Sequence, residues 1–119
     1  MNPISESLKL SKEYLGKKVT VVIDRPINSK HPKHGFLYTA NYGYIENVMA
    51  PDGEELDAYF LGTNEPLNKG EGTVTAIIHR LNDDDDKLVV VPEGVNLSDA
   101  EIEHNVMFQE QWFEHEIIR

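Results

Sequence analysis

Tyr38-Thr39-Ala40-Asn41-Tyr42-Gly43-Tyr44-Ile45, followed shortly by Pro51-Asp52-Gly53-Glu54-Glu55-Leu56-Asp57, is the part of the chain around which the rest is organised. An aromatic-rich segment leads into a glycine turn set among carboxylates. Pro51 presets φ and Gly53 tolerates φ > 0, so a turn is expected at Pro51-Asp52-Gly53. From Glu54 onward the residues read as a strand, in which successive side chains face opposite ways. The turn must therefore bring Asp52 and Asp57 together, because alternation alone would not. Clustered carboxylates repel one another, and a hard cation offsets that cost. Mg²⁺ takes oxygen ligands and keeps waters and substrate phosphates in its shell. The bare reading is a divalent-metal site for a phosphorylated ligand, with a solvated turn as the plain alternative. An EF-hand loop is excluded, since Gly53 follows Asp52 at once and the alternating ligand order is missing.

At 119 residues the chain reads as a single domain, residues 1–119, small for an enzyme but large enough for a core. Cysteine is absent, which excludes disulfides, zinc–thiolate sites and thiol nucleophiles. No apolar run approaches a membrane span and no signal-peptide core is seen, so a cytoplasmic location is the expectation. The formal net charge of -10 repels nucleic-acid backbones and anionic membranes, and neither is expected as a partner. It also repels an anionic substrate, so a phosphate site here must recruit metal, local Lys or Arg, or both.

Those cations have a candidate source. Ser29-Lys30-His31-Pro32-Lys33-His34-Gly35 sets four basic or titratable side chains in a seven-residue loop, unusual in so acidic a chain. It is either an exposed solvated turn or a phosphate-facing cluster. His31 and His34 match no recognised metal spacing. A second acidic feature is Asn82-Asp83-Asp84-Asp85-Asp86-Lys87, either a charged hairpin loop or, with the first cluster, one half of a metal cage.

The flanking elements are mostly strands. Lys18–Asp24, Leu56–Leu61, Thr73–Leu81 and Lys87–Val91 are rich in β-branched or apolar residues, and Phe36–Tyr38 and Tyr42–Val48 read as shorter extended pieces. Gly43 between two tyrosines predicts a bulge or a close backbone approach. Residues 66–72 read as a loop. Ser5 to Leu15 is a weakly patterned helix, capped by Ser5 and stopped by Gly16. Ser98-Asp99-Ala100-Glu101 is a capping box, and the helix after it is expected to run Ile102, Val106, Phe113 and Ile117 along one core-packing side.

Taken together, these residues resemble the soluble inorganic pyrophosphatases. The resemblance rests on Asp24-Arg25-Pro26, Asn41-Tyr42-Gly43-Tyr44-Ile45, Asp52-Gly53-Glu54-Glu55-Leu56-Asp57, the acidic loop ending in Lys87, Leu88-Val89-Val90-Val91-Pro92, and Trp112-Phe113-Glu114-His115 as the start of a C-terminal helix. The pieces occur in the family's order and cover most of the chain. The resemblance implies an α+β, mainly β fold: a small OB-like five-stranded barrel with a C-terminal helix packed on it. It implies hydrolysis of inorganic diphosphate by a metal-activated water, with Mg²⁺ as cofactor and Mn²⁺ as the alternative ion. Asp52, Asp57, Asp83 and Asp85 would be metal ligands, Asp57 bridging two ions. Glu54 would assist deprotonation of the water, Tyr42 would hold it, and Lys87 would contact phosphate. Tyr38 would line the phosphate pocket, with Lys30 and Lys33 as further phosphate-facing cations. Family members assemble, which leaves a homo-oligomer open.

Departures from the family pattern keep alternatives in view. Glu54 stands where the family has Asp, Asp24 replaces a Glu, and a Lys-Tyr-Glu hairpin is missing. The family's Arg ahead of the first Tyr finds no counterpart except Lys30 or Lys33, and Lys is a point charge rather than a bidentate fork. Its final Tyr-Lys phosphate grip falls at Glu116-Ile117. The same scaffold acting on a nucleoside or other diphosphate ester, or a non-catalytic binding relative, are the alternatives.

Overall fold

β-Branched residues run unbroken from Val19 to Ile23, and they form the first strand, β1 (Lys18–Arg25). In the computed structural model, residues 6–49, 53, 55–81 and 86–119 are described, without the side chains of residues 6 and 7. Helix α1 (Glu6–Glu13) comes first; Ser5, its expected cap, lies outside the described residues. After β1 follow β2 (Asn41–Met49), β3 (Glu55–Phe60), β4 (Lys69–Arg80), β5 (Lys87–Val91), α2 (Asp99–Glu110) and β6 (His115–Ile118).

Strand order β1-β2-β3-β5-β4 closes on itself through β1–β4, giving a five-stranded barrel with β6 added outside β4. The OB-like barrel expected from the resemblance is therefore what the chain forms. Every pairing is antiparallel except β3 with β5, which run parallel with Ala58 opposite Leu88. That exception matters for function, because it starts β3 and β5 side by side at one end of the barrel.

Alternation divides the apolar residues between two cores. Ile45, Ala58, Leu88 and Val90 join one cluster with Leu8 of α1; Tyr59, Val89 and Val91 join the other with Ile102 and Val106 of α2. Both faces of β5 are covered, so all its residues are buried. On β4, Val74 belongs to the first cluster but Ala76 to the second. The register slips between them, and the extra residue reverses which side chains face in. Ile102 and Val106 are fully buried, each contributing about 1.5–3 kcal/mol of hydrophobic stabilisation.

Four expectations are corrected. β4 begins at Lys69, within residues expected to be a loop. Gly70 and Gly72 made that stretch read as a turn, but neighbours occupy the space a side chain would take: the Phe60 ring lies 2.7 Å from a Cβ at Gly70, the Val91 carbonyl oxygen 2.2 Å from one at Gly72. Helix α2 has the expected capping box but ends at Glu110; Phe113 lies in a turn and Ile117 in β6, where it pairs with Ile78. The residues expected to open a C-terminal helix instead turn back and extend the sheet, because β4 offers an unpaired edge. Phe36–Tyr38 makes a single bridge, Leu37 with Lys30, in place of a strand.

Candidate active site

The expectation of a close approach at Gly43 leads directly to the site. A Cβ there would lie 1.8 Å from the Val22 carbonyl oxygen, so β1 and β2 meet at this point closer than any side chain permits. Immediately beyond, β1 bulges: Ile23 faces Gly43 and Arg25 faces Tyr42, leaving Asp24 as the extra residue. Regular alternation would send Asp24 and Arg25 to opposite faces. The bulge brings both to one pocket of about 760 Å³, which Tyr38, Tyr42, Tyr44, Glu55, Asp57 and Lys87 also line.

The parallel β3–β5 register places Asp57 beside Lys87, and the Lys87 ammonium donates to Asp57 Oδ2 at 2.6 Å. Lys87 is almost fully buried and its Nζ lies 5.6 Å above the Tyr42 ring, while Asp57 keeps 32% of its side-chain surface in solvent. Asp24 feels the crowding of anions: burial pushes its carboxyl above the ordinary value, Arg25 pulls it down, and Asp57 and Glu55 push it up. Tyr38 is raised above its ordinary value, first by burial and then by Asp24, against Arg25 and Lys87, which lower it.

Behind the pocket runs a buried hydrogen-bond chain. Tyr38 OH donates to Gln109 Oε1 (3.0 Å), Gln109 Nε2 donates to Tyr59 OH (2.7 Å), and Tyr59 OH donates to Glu110 Oε2 (2.6 Å). Arg80 grips both Glu110 oxygens at 2.9 Å and lies 3.7 Å from the Phe113 ring centre. Burial, then the Glu110 charge, raises the Tyr59 phenol well above its ordinary value, so it stays a donor. Among the described residues no buried side-chain polar atom lacks a partner.

Of the residues singled out from sequence, the structure brings together Tyr38, Tyr42, Asp57 and Lys87. Asp52, Glu54, Asp83 and Asp85 lie outside the described residues. Lys30 and Lys33 are exposed on the loop between β1 and β2 and are not among the residues lining the pocket. Of the acidic run, Asp86 is described; it is buried, with its Oδ1 2.7 Å from His79 Nδ1. Arg25, Arg80 and the Gln109–Glu110 pair are pocket residues or supports that the motifs did not single out. Arg25 stands before Pro26, which ends the strand, but its entry into the pocket depends on the bulge.

Three carboxylates of the pocket, Asp24, Glu55 and Asp57, are hard oxygen donors in mutual repulsion, a chemistry that fits a hard divalent cation. Among the described residues no three His, Asp or Glu side chains are arranged to hold an ion by themselves.

Fold and site define a small closed β-barrel whose rim carries anions, cations and aromatic rings around one pocket. The family model for inorganic pyrophosphatase matches residues 6–116, and the chain belongs to the inorganic pyrophosphatase family. That membership implies a divalent-metal cofactor. Inorganic pyrophosphatase of Bacillus sp. (strain PS3) is 39% identical over 61 residues, 47% of this chain; the match takes in 36% of that relative's length. Similar solved structures include the inorganic pyrophosphatases of Ehrlichia chaffeensis (TM-score 0.65, 18% identity, 86% of this chain and 85% of that one) and Neisseria gonorrhoeae (TM-score 0.61, 23% identity, 78% and 72%). That of Thermus thermophilus gives a TM-score of 0.60 at 18% identity over 86% of this chain and 80% of that one. At such identities the likeness concerns the fold.

Proposed function

We propose that this chain, acting as one domain over residues 1–119, hydrolyses inorganic diphosphate to two phosphates with bound Mg²⁺, Mn²⁺ being the alternative ion. The observation that carries the reading is Asp57 beside Lys87 on adjacent parallel strands, facing a pocket that also holds Asp24, Arg25 and Tyr42. Asp57, with Asp52, Asp83 and Asp85, would hold the metal, which when bound lowers the pKa of a water and neutralises phosphate oxygens. Arg25 presents a planar fork to one phosphate and Lys87 a point charge to the other. Their charges offset the repulsion that a net charge of -10 imposes on an anion. Tyr42 orients the attacking water and Glu54 accepts its proton. Tyr38, held by Gln109, lines the phosphate side of the pocket. Lys30 and Lys33 draw the anion toward the mouth.

The same reading makes the protein cytoplasmic, with neither nucleic acid nor membrane as partner, and leaves a homo-oligomer open. Among the described residues no helix is long and apolar enough to cross a membrane. The test is phosphate release from diphosphate by the purified protein with Mg²⁺, with Mn²⁺ and with chelator. Fast release that chelator abolishes supports the proposal; no release with any ion overturns it.

A further inference from the structure

The far end of the pocket is built from rings. His31, His34 and Phe36, on the loop between β1 and β2, line it together with Trp112 and Phe113 beyond α2. The centroids of His31 and Phe36 are 4.8 Å apart, as are those of His31 and His34, and Phe36 lies 5.2 Å from Trp112. The wall is continuous with the charged floor: Phe36 to Tyr38 is 5.6 Å, Tyr38 to Tyr42 5.8 Å, and Lys87 Nζ sits over Tyr42.

Hydrogen bonds within the loop hold its part of the wall in shape. His31 Nδ1 accepts from the backbone N–H groups of Lys33 and His34, both at 3.1 Å, and His31 N–H donates to the Phe36 carbonyl at 2.8 Å. The Nδ1 lone pair is thus used as an acceptor, which leaves the imidazole neutral and suited to stacking. Burial, His34, Arg25 and Lys33 all lower its pKa, in the same direction. Yet these rings are not spent on the core. Trp112 keeps 60% of its surface in solvent and His34 is exposed. A preformed aromatic face that opens into a phosphate pocket offers a planar ring a surface at low ordering cost.

Size points the same way. A pocket of 760 Å³ lies within the range of about 300–1,000 Å³ that holds a drug-sized ligand. Asp24, Glu55 and Asp57 bring carboxylate oxygens to the pocket, whereas the side chains of His31, His34, Phe36, Trp112 and Phe113 bring none.

We propose that the His31–Phe36–Trp112 wall is a subsite for the aromatic ring of a nucleoside diphosphate, whose diphosphate group lies on the Arg25–Lys87 floor. The proposal rests on the reading that this floor holds a diphosphate group. An aliphatic diphosphate ester has the charge but not the ring, so the wall discriminates between the two.

Trp112 is the chain's single tryptophan and reports on the subsite directly. Its fluorescence is titrated, in Mg²⁺, with ADP, isopentenyl diphosphate and inorganic diphosphate. ADP is expected to quench it and to bind tighter than isopentenyl diphosphate by about 5- to 150-fold, the span of base-on-aromatic stacking. Phe36→Leu keeps an apolar side chain against Phe108 but removes the π-face, and should cut that preference about tenfold. Trp112→Leu, followed by calorimetry, should do the same. Equal binding of ADP and isopentenyl diphosphate, or a preference untouched by both substitutions, overturns the subsite. If ADP is preferred while diphosphate is not hydrolysed with any ion, the reaction proposed above fails and the subsite stands. If diphosphate is hydrolysed and the ring confers no preference, the subsite alone falls.

Discussion

Arg80–Glu110 and Lys87–Asp57 are both cation–carboxylate pairs, one behind the pocket and one on its wall, and they are built in opposite ways. Arg80 and Glu110 are sealed from water, with side-chain exposures of 7% and 0%. Two parallel hydrogen bonds join them, and Tyr59 supplies a third to the carboxylate. Lys87 makes one 2.6 Å contact to Asp57, which remains 32% exposed. The first pair ties α2 to β4 and engages both oxygens of a carboxylate that solvent does not reach. The second leaves Asp57 part-exposed on the pocket. Saturation marks the brace and incompleteness marks the site.

That contrast gives the largest predicted effects. Glu110→Ala removes the Glu110 charge from the buried Arg80 guanidinium, a loss of about 3–5 kcal/mol. A urea unfolding curve measures it; a change under about 1 kcal/mol breaks the comparison. Asp57→Asn removes the charge but keeps an amide oxygen to accept from the buried Lys87, so on the same unfolding curve it should cost less than Glu110→Ala, about 1–3 kcal/mol. Diphosphate turnover should fall by about 10²–10³-fold, the usual loss when one pre-organised charge leaves a site. Unchanged turnover sinks the placement of Asp57 in the active site.

How much of this was legible beforehand follows the same divide. The strands were readable because they carry β-branched runs, and their closure into a barrel was implied by the family resemblance. Asp57, Lys87 and Tyr42, which meet Tyr38 at the pocket, sit in the short motifs that carry that resemblance. The brace was not readable. Arg80 and Glu110 are 30 residues apart and their partnership depends on where α2 docks, which no local spacing encodes. Nor was the end of α2 readable: Phe113 and Ile117 continue a helical apolar period, but pairing with the open edge of β4 outweighed it. The β1 bulge is a further case, since it turns Arg25 into a pocket residue only once the partner strand fixes the register.

A smaller effect tests whether the brace reaches the site. Tyr38→Phe removes only the hydroxyl that donates to Gln109, at a cost of about 1 kcal/mol in unfolding. If Gln109 positions Tyr38 for phosphate, KM for diphosphate should rise with kcat nearly constant. An unchanged KM confines the chain from Glu110 to Tyr38 to stability.

The smallest effect concerns a third pair, His115 with Glu103. His115 Nε2 lies 2.7 Å from Glu103 Oε2, and His115 Nδ1 lies 2.9 Å from the Phe113 carbonyl oxygen, so only the imidazolium can donate to both. Burial alone would depress its pKa, but the hydrogen bonds to Phe113 and Glu103, with the charges of Glu103 and Glu110, carry it above 6.5. A raised folded-state value means that the stabilisation is complete below the ordinary pKa of 6.5 and is lost as pH rises through the folded value. Glu103 is 40% exposed, which limits the gain to under about 1 kcal/mol. The urea midpoint of the wild type should therefore exceed that of His115→Gln in mild acid, and the gap should close toward alkaline pH. A gap that widens with pH requires His115 to be held neutral, which would make the α2–β6 contact a brace of the saturated kind rather than a titrating one.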